Sequence, residues 1–302
     1  MYKFAVFLAL LLSVPYTAFP QSNRTTPAPA ASEQESGLLS YIDFGGSSNA
    51  GGRIFTLGLS AGYAFNRHVS INSRAPLYFV SATPPAAGSG GTTTLSGHGI
   101  GDPSVSVLLS FPQHIFDYKT SVTTWVPVAS VRSGFSTGSV LVDWANRVRW
   151  RIGDRLIPFG QVDVGNTVPD TPLFVLPYTA RGFNTRFEGG TNVGLTRIFS
   201  AGGSFYYVLP FGQQHIYSRV CDSGSGSGSG SGGAWNDGWM TQQLTVGNDL
   251  TRDHGFSTWV AASLPHYVDL EIGYTRSYGY KLNTVSFGIG FDLVHALRHR
   301  RE

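Results

Sequence analysis

Apolar and polar residues alternate along much of the chain, most clearly in the stretch 284–293. The odd positions from 285 to 293 carry Val, Phe, Ile, Phe and Leu, while the even positions from 284 to 292 carry Thr, Ser, Gly, Gly and Asp. Successive side chains of a β-strand point to opposite faces, so one face suits lipid and the other suits water or a packed interior. A helix has a period of 3.6 residues and cannot produce this spacing.

The same alternation predicts strands elsewhere in the chain. It is strong at residues 53–65, 143–152 and 183–199, and weaker at 69–77, 101–111, 119–128, 156–164, 204–211, 244–249 and 268–274. Many of these stretches have about ten residues, the length that a tilted strand needs to cross a bilayer. Past residue 20, no apolar run approaches the roughly 18 residues of a transmembrane helix.

The connections between these stretches fall into two kinds. Short joints are expected at 66–67, 112–117, 153–155 and 200–202, and longer Gly-, Ser- and Pro-rich connections near 45–52, 83–98, 131–139, 169–182 and 215–238. Short turns on one rim and long loops on the other are typical of outer-membrane barrels. The fold class predicted is therefore all-β, a transmembrane antiparallel up-and-down β-barrel. A soluble sandwich has no reason to sort its connections in this way.

Strand parity tests the number of strands. With 38–44 as the first strand, ten strands run through about residue 249, because both ends of such a barrel lie on the side of the short turns. Three candidates remain at 256–264, 268–276 and 283–293, where parity permits two. We predict 12 strands with one error in the region 239–280, and keep 14 strands as the alternative.

The chain divides into four parts. A positive start, an apolar run at 4–12 and small residues with Pro15 predict a cleaved signal peptide over 1–22, followed by a polar, Pro-rich flexible leader over 23–37. The barrel is expected over 38–293 and a basic tail over 294–302. The predicted location is the cell outer membrane.

Composition agrees with this assignment. Charged residues make up only 13% of the chain, whereas 38 residues are glycine. A Lys or Arg on the lipid face of a barrel costs about 2–4 kcal/mol at the midplane, so charge is confined to the interior and the rims. The net charge of +3 comes from scattered residues without a basic stripe, so a nucleic-acid partner is not expected.

Charged residues of both signs fall on the predicted inward faces. These candidate lumen-lining residues are Arg74, Asp102, Lys119, Arg147, Arg149, Arg151, Asp163, Arg186, Glu188, Asp269, Glu271 and Asp292. If residues 152 and 156 flank a short turn, Gln161 faces Arg147, and Asp163 lies diagonal to it. Two interpretations stay open: a lattice of ion pairs that fills a small barrel, or a pore lining in which the arginines at 147, 149 and 151 favour anions or polar solutes.

No motif for catalysis or for a cofactor is present. The eight histidines lack metal-ligand spacing, and no His and Ser pair has an orienting third partner. Cys221 is the only cysteine and cannot form an intramolecular disulfide. We therefore expect no enzyme activity, no metal and no cofactor.

The chain resembles the MetA-pathway phenol-degradation family of outer-membrane proteins at two places. These are Gly99-Ile100-Gly101-Asp102, which opens a strand after a Gly/Ser/Thr loop, and the terminal strand at 286–291. The chain departs from the usual aromatic ending, because residues 294–302 follow the last strand. The resemblance implies a porin-like transport barrel that passes small, often aromatic or apolar, compounds.

Together these features predict a channel for passive uptake of small molecules. The alternative is a structural or surface-interaction barrel with a plugged lumen, whose outer loops bind a partner. The expected partners are outer-membrane lipid, small-molecule solutes and the barrel-assembly machinery.

Overall fold

A computed structural model describes residues 36–50, 52–82, 95–129, 135–136, 138–153, 155–167, 178–221, 239–264 and 268–294. The predicted signal peptide, nearly all of the leader and all but the first residue of the basic tail lie outside these residues. No helix in the described ranges is long and apolar enough to span a membrane.

Fourteen strands account for almost all of the described chain. They are β1 (Gly37–Asn49), β2 (Gly52–Ala64), β3 (Val69–Ala82), β4 (Leu95–Ile100), β5 (Ser104–Pro112), β6 (Phe116–Trp125), β7 (Leu141–Trp150), β8 (Leu156–Thr167), β9 (Tyr178–Gly194), β10 (Phe199–Cys221), β11 (Trp239–Gly247), β12 (Asp253–Leu264), β13 (Val268–Ser277) and β14 (Asn283–Asp292).

The strands form a closed antiparallel barrel. The hydrogen-bonded order runs β12-β13-β14-β1-β2-β3-β5-β6-β7-β8-β9-β10, and β10 pairs with β12 to complete the circle. The first and last strands pair along eight positions, from Tyr41 opposite Asp292 to Ser48 opposite Val285. The ring therefore has twelve strand positions, and the prediction of a 12-strand barrel is confirmed.

Two of the twelve positions are each built from two strands. Along β3, residues 69–74 pair with β5 and residues 77–82 pair with β4. Along β10, residues 199–208 pair with β12 and residues 214–221 pair with β11. The surplus strand in region 239–280 has this origin: the predicted strands 244–249 and 256–264 occupy one position of the ring.

Each interruption has a local cause. Between β4 and β5 stands Pro103, which has no amide hydrogen to donate to the ladder. The amide of Gly101 still donates to the carbonyl of Pro76 at 2.8 Å, so pairing resumes after the break. Between β11 and β12, the Thr251 hydroxyl donates to Oε1 of Gln214 at 3.2 Å. Both side chains are essentially fully buried and hold residues 248–252 against β10.

The short joints are confirmed at 66–67 and at 153–155. At the first, Oδ1 of Asn66 accepts hydrogen bonds from the amides of His68 and Val69, which is an Asx turn. At the second, Gly153 has a φ of +64° and Ile152 bridges to Leu156.

The joint predicted at 200–202 is wrong. The chain turns earlier, at 195–198, where the hydroxyl of Thr196 accepts from the amides of Ile198 and Phe199. Ser200 is already paired on both sides, with Gly194 and with Ala261. The apolar residues at 195 and 199 carry the alternation across the turn, so periodicity alone does not mark the boundary.

The two faces of the barrel differ as the alternation predicts. On β14, the side chains of Val285 and Ile289 are exposed, whereas Thr284 and Ser286 are buried. On β2, Leu59 is exposed and Ser60 is buried. The described residues bury many more polar side chains than apolar ones, which is the reverse of a soluble domain. The interior is polar and the apolar surface faces outward.

Candidate functional site in the barrel interior

The interior is the candidate site, and strands β7, β8 and β9 form its most densely packed part. We call the inward face of these strands the packed wall. Arg186 and Glu188 form an ion pair with Nη2 and Oε2 2.8 Å apart, and their side chains are 6% and 1% exposed. Directly opposite on β8, Nε2 of Gln161 donates to both carboxylate oxygens of Asp163 at 2.9 and 3.1 Å. The charged side chains of the packed wall therefore fill the interior of the barrel on this side.

Arg147 joins the packed wall from β7. It stands opposite Gln161, as the turn at 152–156 predicts. Its guanidinium lies 4.3 Å from the ring centre of Phe159, and the ring of Phe159 lies 6.3 Å from that of Trp259. Nε and Nη2 of Arg147 are buried without a hydrogen-bond partner. The contact between the guanidinium and the Phe159 ring is a cation–π interaction.

The row of three arginines on β7 is divided by the structure. Arg149 forms an ion pair with Asp117 on β6, and Lys119 stands opposite Arg147 on the same strand. Arg151 lies one residue beyond the end of β7 and is exposed at the short-turn rim. Two arginines of the row therefore belong to the wall, and the third does not.

The opposite side of the interior consists of β13, β14 and β1, which we call the acidic wall. Asp269, Glu271 and Asp292 are half-buried on it. Gly290 of β14 lies between Asp43 and Asp269 on the neighbouring strands, and Gly288 stands opposite Glu271. The side chain of Tyr41 on β1 packs over Gly290, where a β-carbon would collide with its ring and hydroxyl.

One ion pair connects the acidic wall to β3. Nη2 and Nε of Arg74 donate to Asp43 at 2.7 and 3.3 Å. The pair crosses over Gly58, where a β-carbon would collide with both side chains. Across this side of the barrel, four carboxylates thus face one guanidinium.

Asp102 has a different role from a lumen-lining charge. It is buried in the break between β4 and β5, where Oδ1 accepts from the amides of Val128 and Ala129 at 3.1 and 3.0 Å. The Asp102 carboxylate holds the start of the β6–β7 connection against the barrel at this break.

The same connection places Phe135 inside the barrel. Its ring stacks on that of Tyr78, with centres 5.9 Å apart and planes 9° apart, and it packs on Val80. A β-carbon at Gly99 would lie 2.7 Å from the Phe135 ring. The Gly-Ile-Gly-Asp segment therefore makes space for an aromatic ring with Gly99 and anchors its loop with Asp102.

Metal chemistry has no support in the described residues. They contain no group of three or more His, Cys, Asp or Glu side chains that could hold a metal ion.

Comparison with known proteins places the fold. No protein-family model matches the chain, and no curated protein matches its sequence. Among solved structures, the COG4313 outer membrane channel from Pseudomonas putida F1 matches with a TM-score of 0.58 at 10% identity, over 89% of this chain and 100% of that chain. The two proteins share the fold of a closed antiparallel β-barrel.

Two other barrels are similar at lower scores. KdgM porin matches with a TM-score of 0.47 at 9% identity, over 83% of this chain and 98% of that chain. The toluene transporter TodX from Pseudomonas putida matches with a TM-score of 0.43 at 9% identity, over 93% of this chain and 94% of that chain.

The sequence reasoning missed several interior residues. Asp43, Asp117 and Asp143 lie on inward faces of their strands, and parity with their neighbours was a sufficient signal for each. Asp253 carried no such signal because it stands at the break before β12. It accepts hydrogen bonds from the Tyr206 hydroxyl at 2.9 Å, the Ser277 hydroxyl at 2.7 Å and the Gly279 amide at 3.0 Å.

Proposed function

We propose that this barrel is an outer-membrane channel through which small molecules pass passively down their gradient. The observation that carries the proposal is the asymmetry of the interior. Arg186, Glu188 and Asp163 of the packed wall are almost fully buried, whereas Asp269, Glu271 and Asp292 on the acidic wall keep part of their surface accessible. Accessible charge on one side of a polar interior suits a solute path along that side.

The field in such a path favours cations and neutral polar solutes. In the described part of the chain, ten carboxylates and five cationic side chains lie inside the barrel. Lys119, Arg147 and Arg149 compensate carboxylates on the packed wall and its neighbour β6. We therefore propose that Lys119, Arg147 and Arg149 shape the field locally and do not make the channel anion-selective.

The proposed solutes are small molecules, including aromatic or apolar ones. Support for this class comes from the resemblance of the segment 99–102 and of the last strand to the phenol-degradation family, in which we place the chain as part of the proposal. Outer-membrane lipid and the barrel-assembly machinery are its proposed partners, and a cleaved signal peptide delivers it.

Planar-bilayer conductance and liposome flux test the function together. We expect discrete conductance steps in KCl, a reversal potential of cation-selective sign in a salt gradient, and entry of small solutes into proteoliposomes. A correctly folded barrel with neither conductance nor flux would overturn the channel and leave the fold intact. Heat-modifiable migration of the same sample shows that it is folded.

A second candidate function has its own support. The burial of Arg186 and Glu188 and the inward position of Phe135 also suit a plugged barrel that presents its outer loops to a partner. Deleting residues 223–233, with flux and surface binding measured separately, distinguishes the two. Loss of binding with no flux in either protein favours the plugged barrel, whereas retained flux favours the channel.

A further inference from the structure

A cavity of about 750 Å³ lies on the outer surface of the barrel, away from the interior site. Its floor contains Gly160 on β8 and Gly189 on β9, which stand directly opposite each other. Strand alternation points both positions outward, because Gln161 and Glu188 beside them are buried inside. We call this cavity the glycine trough.

The barrel's own packing does not require the two glycines. A β-carbon placed at either one has no heavy atom within 4 Å. Inside the barrel the situation is different, since a β-carbon at Gly202 would collide with the ring of Trp259. Glycine within a strand costs about 0.5–1 kcal/mol relative to alanine, and it often marks a close approach by another molecule. The trough is therefore an open space, and the two glycines on its floor reduce the stability of their strands.

Another outward glycine of the same barrel shows how the chain covers such a gap. Above Gly46, the rings of Phe55 and Phe287 would lie 2.7 and 2.8 Å from a β-carbon. Phe44 completes this aromatic group, with ring centres 6.3 Å from Phe55 and 5.7 Å from Phe287. Here aromatic side chains occupy the place of the missing one. Nothing of the kind covers Gly160 and Gly189 in the described structure.

The trough has apolar sides and a more polar end. Val148 and Trp150 on β7, Phe187 on β9 and Phe205 on β10 flank the floor, and Phe205 is 74% exposed. At the end nearer the long-loop rim, the rings of Tyr207, His254 and Tyr278 stack in a row, with centres 5.8 and 5.5 Å apart.

We propose that the glycine trough binds an acyl chain of a membrane lipid, with the polar part of the lipid at the row formed by Tyr207, His254 and Tyr278. The trough is continuous with the apolar surface that the strands present to the hydrocarbon, so acyl chains are the molecules in contact with it. A groove with apolar sides suits a linear acyl chain. Tyrosine and histidine present apolar rings with polar tips, which suits the boundary between acyl chains and headgroups. The proposal requires the membrane location of the proposed function but not the channel activity.

Filling the trough tests the proposal. The double variant Gly160→Val, Gly189→Val adds β-branched side chains in open space, where strands accept them well. Native mass spectrometry of the full-length mature barrel, extracted in mild detergent with its lipids, counts the retained phospholipids. We expect the wild type to retain one more phospholipid than the double variant. Ala61→Val is the matched control, because it enlarges an outward residue on β2, and it should retain the wild-type number.

Quenching gives a second measurement that does not depend on the double variant folding. In vesicles of phosphatidylcholine brominated on the acyl chain, Trp150 at the edge of the trough should be strongly quenched. The difference between wild type and Trp150→Phe isolates this signal. Gly189→Ala, a milder filling, should reduce it, and Ala61→Val should leave it unchanged.

Three results would overturn the proposal. Equal lipid retention in the wild type and the double variant would show that no acyl chain binds there. A change from dimer to monomer on filling, without a change in retained lipid, would assign the trough to a second copy of the chain. Loss of solute flux with unchanged lipid retention would assign it to the solute. Absence of conductance in all variants would count against the proposed channel but not against the lipid site.

Discussion

The two sides of the barrel interior solve the same problem in different ways. Both must place charged groups inside a barrel whose outer surface faces hydrocarbon. On the packed wall, Arg186, Glu188 and Asp163 are almost fully buried. On the acidic wall, Asp269, Glu271 and Asp292 stay half-buried, and Tyr41 packs over Gly290 between Asp43 and Asp269. The difference shows that charged side chains can pack the interior on one side of a barrel and line an accessible surface on the other.

The largest expected effect comes from breaking the ion pair of the packed wall. Arg186→Met leaves Glu188 buried without its partner, and removing one member of a buried pair costs about 3–5 kcal/mol. The free energy of unfolding in detergent, measured by urea titration, checks this. Asp269→Asn on the acidic wall is the control and should change stability by less than about 1 kcal/mol. Equal losses in the two variants would erase the distinction between the walls.

A smaller loss of stability is expected from a glycine of the acidic wall. In Gly290→Ala, the new β-carbon collides with the Tyr41 hydroxyl, and overpacking typically costs about 1–3 kcal/mol. Gly160→Ala meets open space and should be neutral or stabilising by about 0.4–1 kcal/mol. Heat-modifiable migration over a temperature series ranks the two variants. A more stable Gly290→Ala would show that Tyr41 has room to move.

Ion selectivity should depend on the acidic wall. Removing two carboxylates with Asp269→Asn and Glu271→Gln is expected to abolish roughly half of the cation preference, since rings and rows of carboxylates set such preferences. The reversal potential in a KCl gradient measures it. Asp249→Asn removes a carboxylate that is 65% exposed outside the interior and serves as the control. An unchanged reversal potential in the double variant would place the solute path elsewhere.

The smallest effect is expected at the end of the packed wall. Arg149→Ala removes the ion pair with Asp117 and should change single-channel conductance by less than about twofold, because Lys119 on the same face of β6 still lies near Asp117. Arg151→Ala, two residues further along at the exposed rim, should change it less. Single-channel recordings of both variants make this comparison. A larger effect at Arg151 would mean that the rim, rather than the wall, limits conductance.

Sequence periodicity was sufficient for the architecture because alternation is a local property. The strand at 284–293 and the short turn at 153–155 follow from residues next to one another, and the closed ring of 12 follows from parity. The break between β11 and β12 could not be predicted, since it depends on contact between Thr251 and Gln214, far apart in the chain. For the same reason two strands were counted where the ring has one position.

The candidate site was predictable in membership but not in partners. Alternation places Arg147, Arg186 and Glu188 inside, yet their contacts depend on the height of each strand relative to the next. Asp163 lies diagonal to Arg147, as the alternation predicts, but it also stands opposite Arg186, and the guanidinium of Arg147 rests on Phe159. Asp102 also points inward, as alternation predicts. Its role in binding the amides of Val128 and Ala129 depends on the path of a loop that has no periodicity.

The interruption at residues 248–252 has a consequence for redesign of the molecule. On the short-turn side of this interruption, β10 and β12 belong to the ring. Their register there is fixed by every other strand around the circumference. On the long-loop side of the interruption, residues 215–218 of β10 still pair with β9, whereas the register of β11 is set by its pairing with β10. A change in length of the outer hairpin formed by β10 and β11 does not alter the shear of the barrel. We expect that foreign hairpins can be grafted there while the barrel continues to assemble.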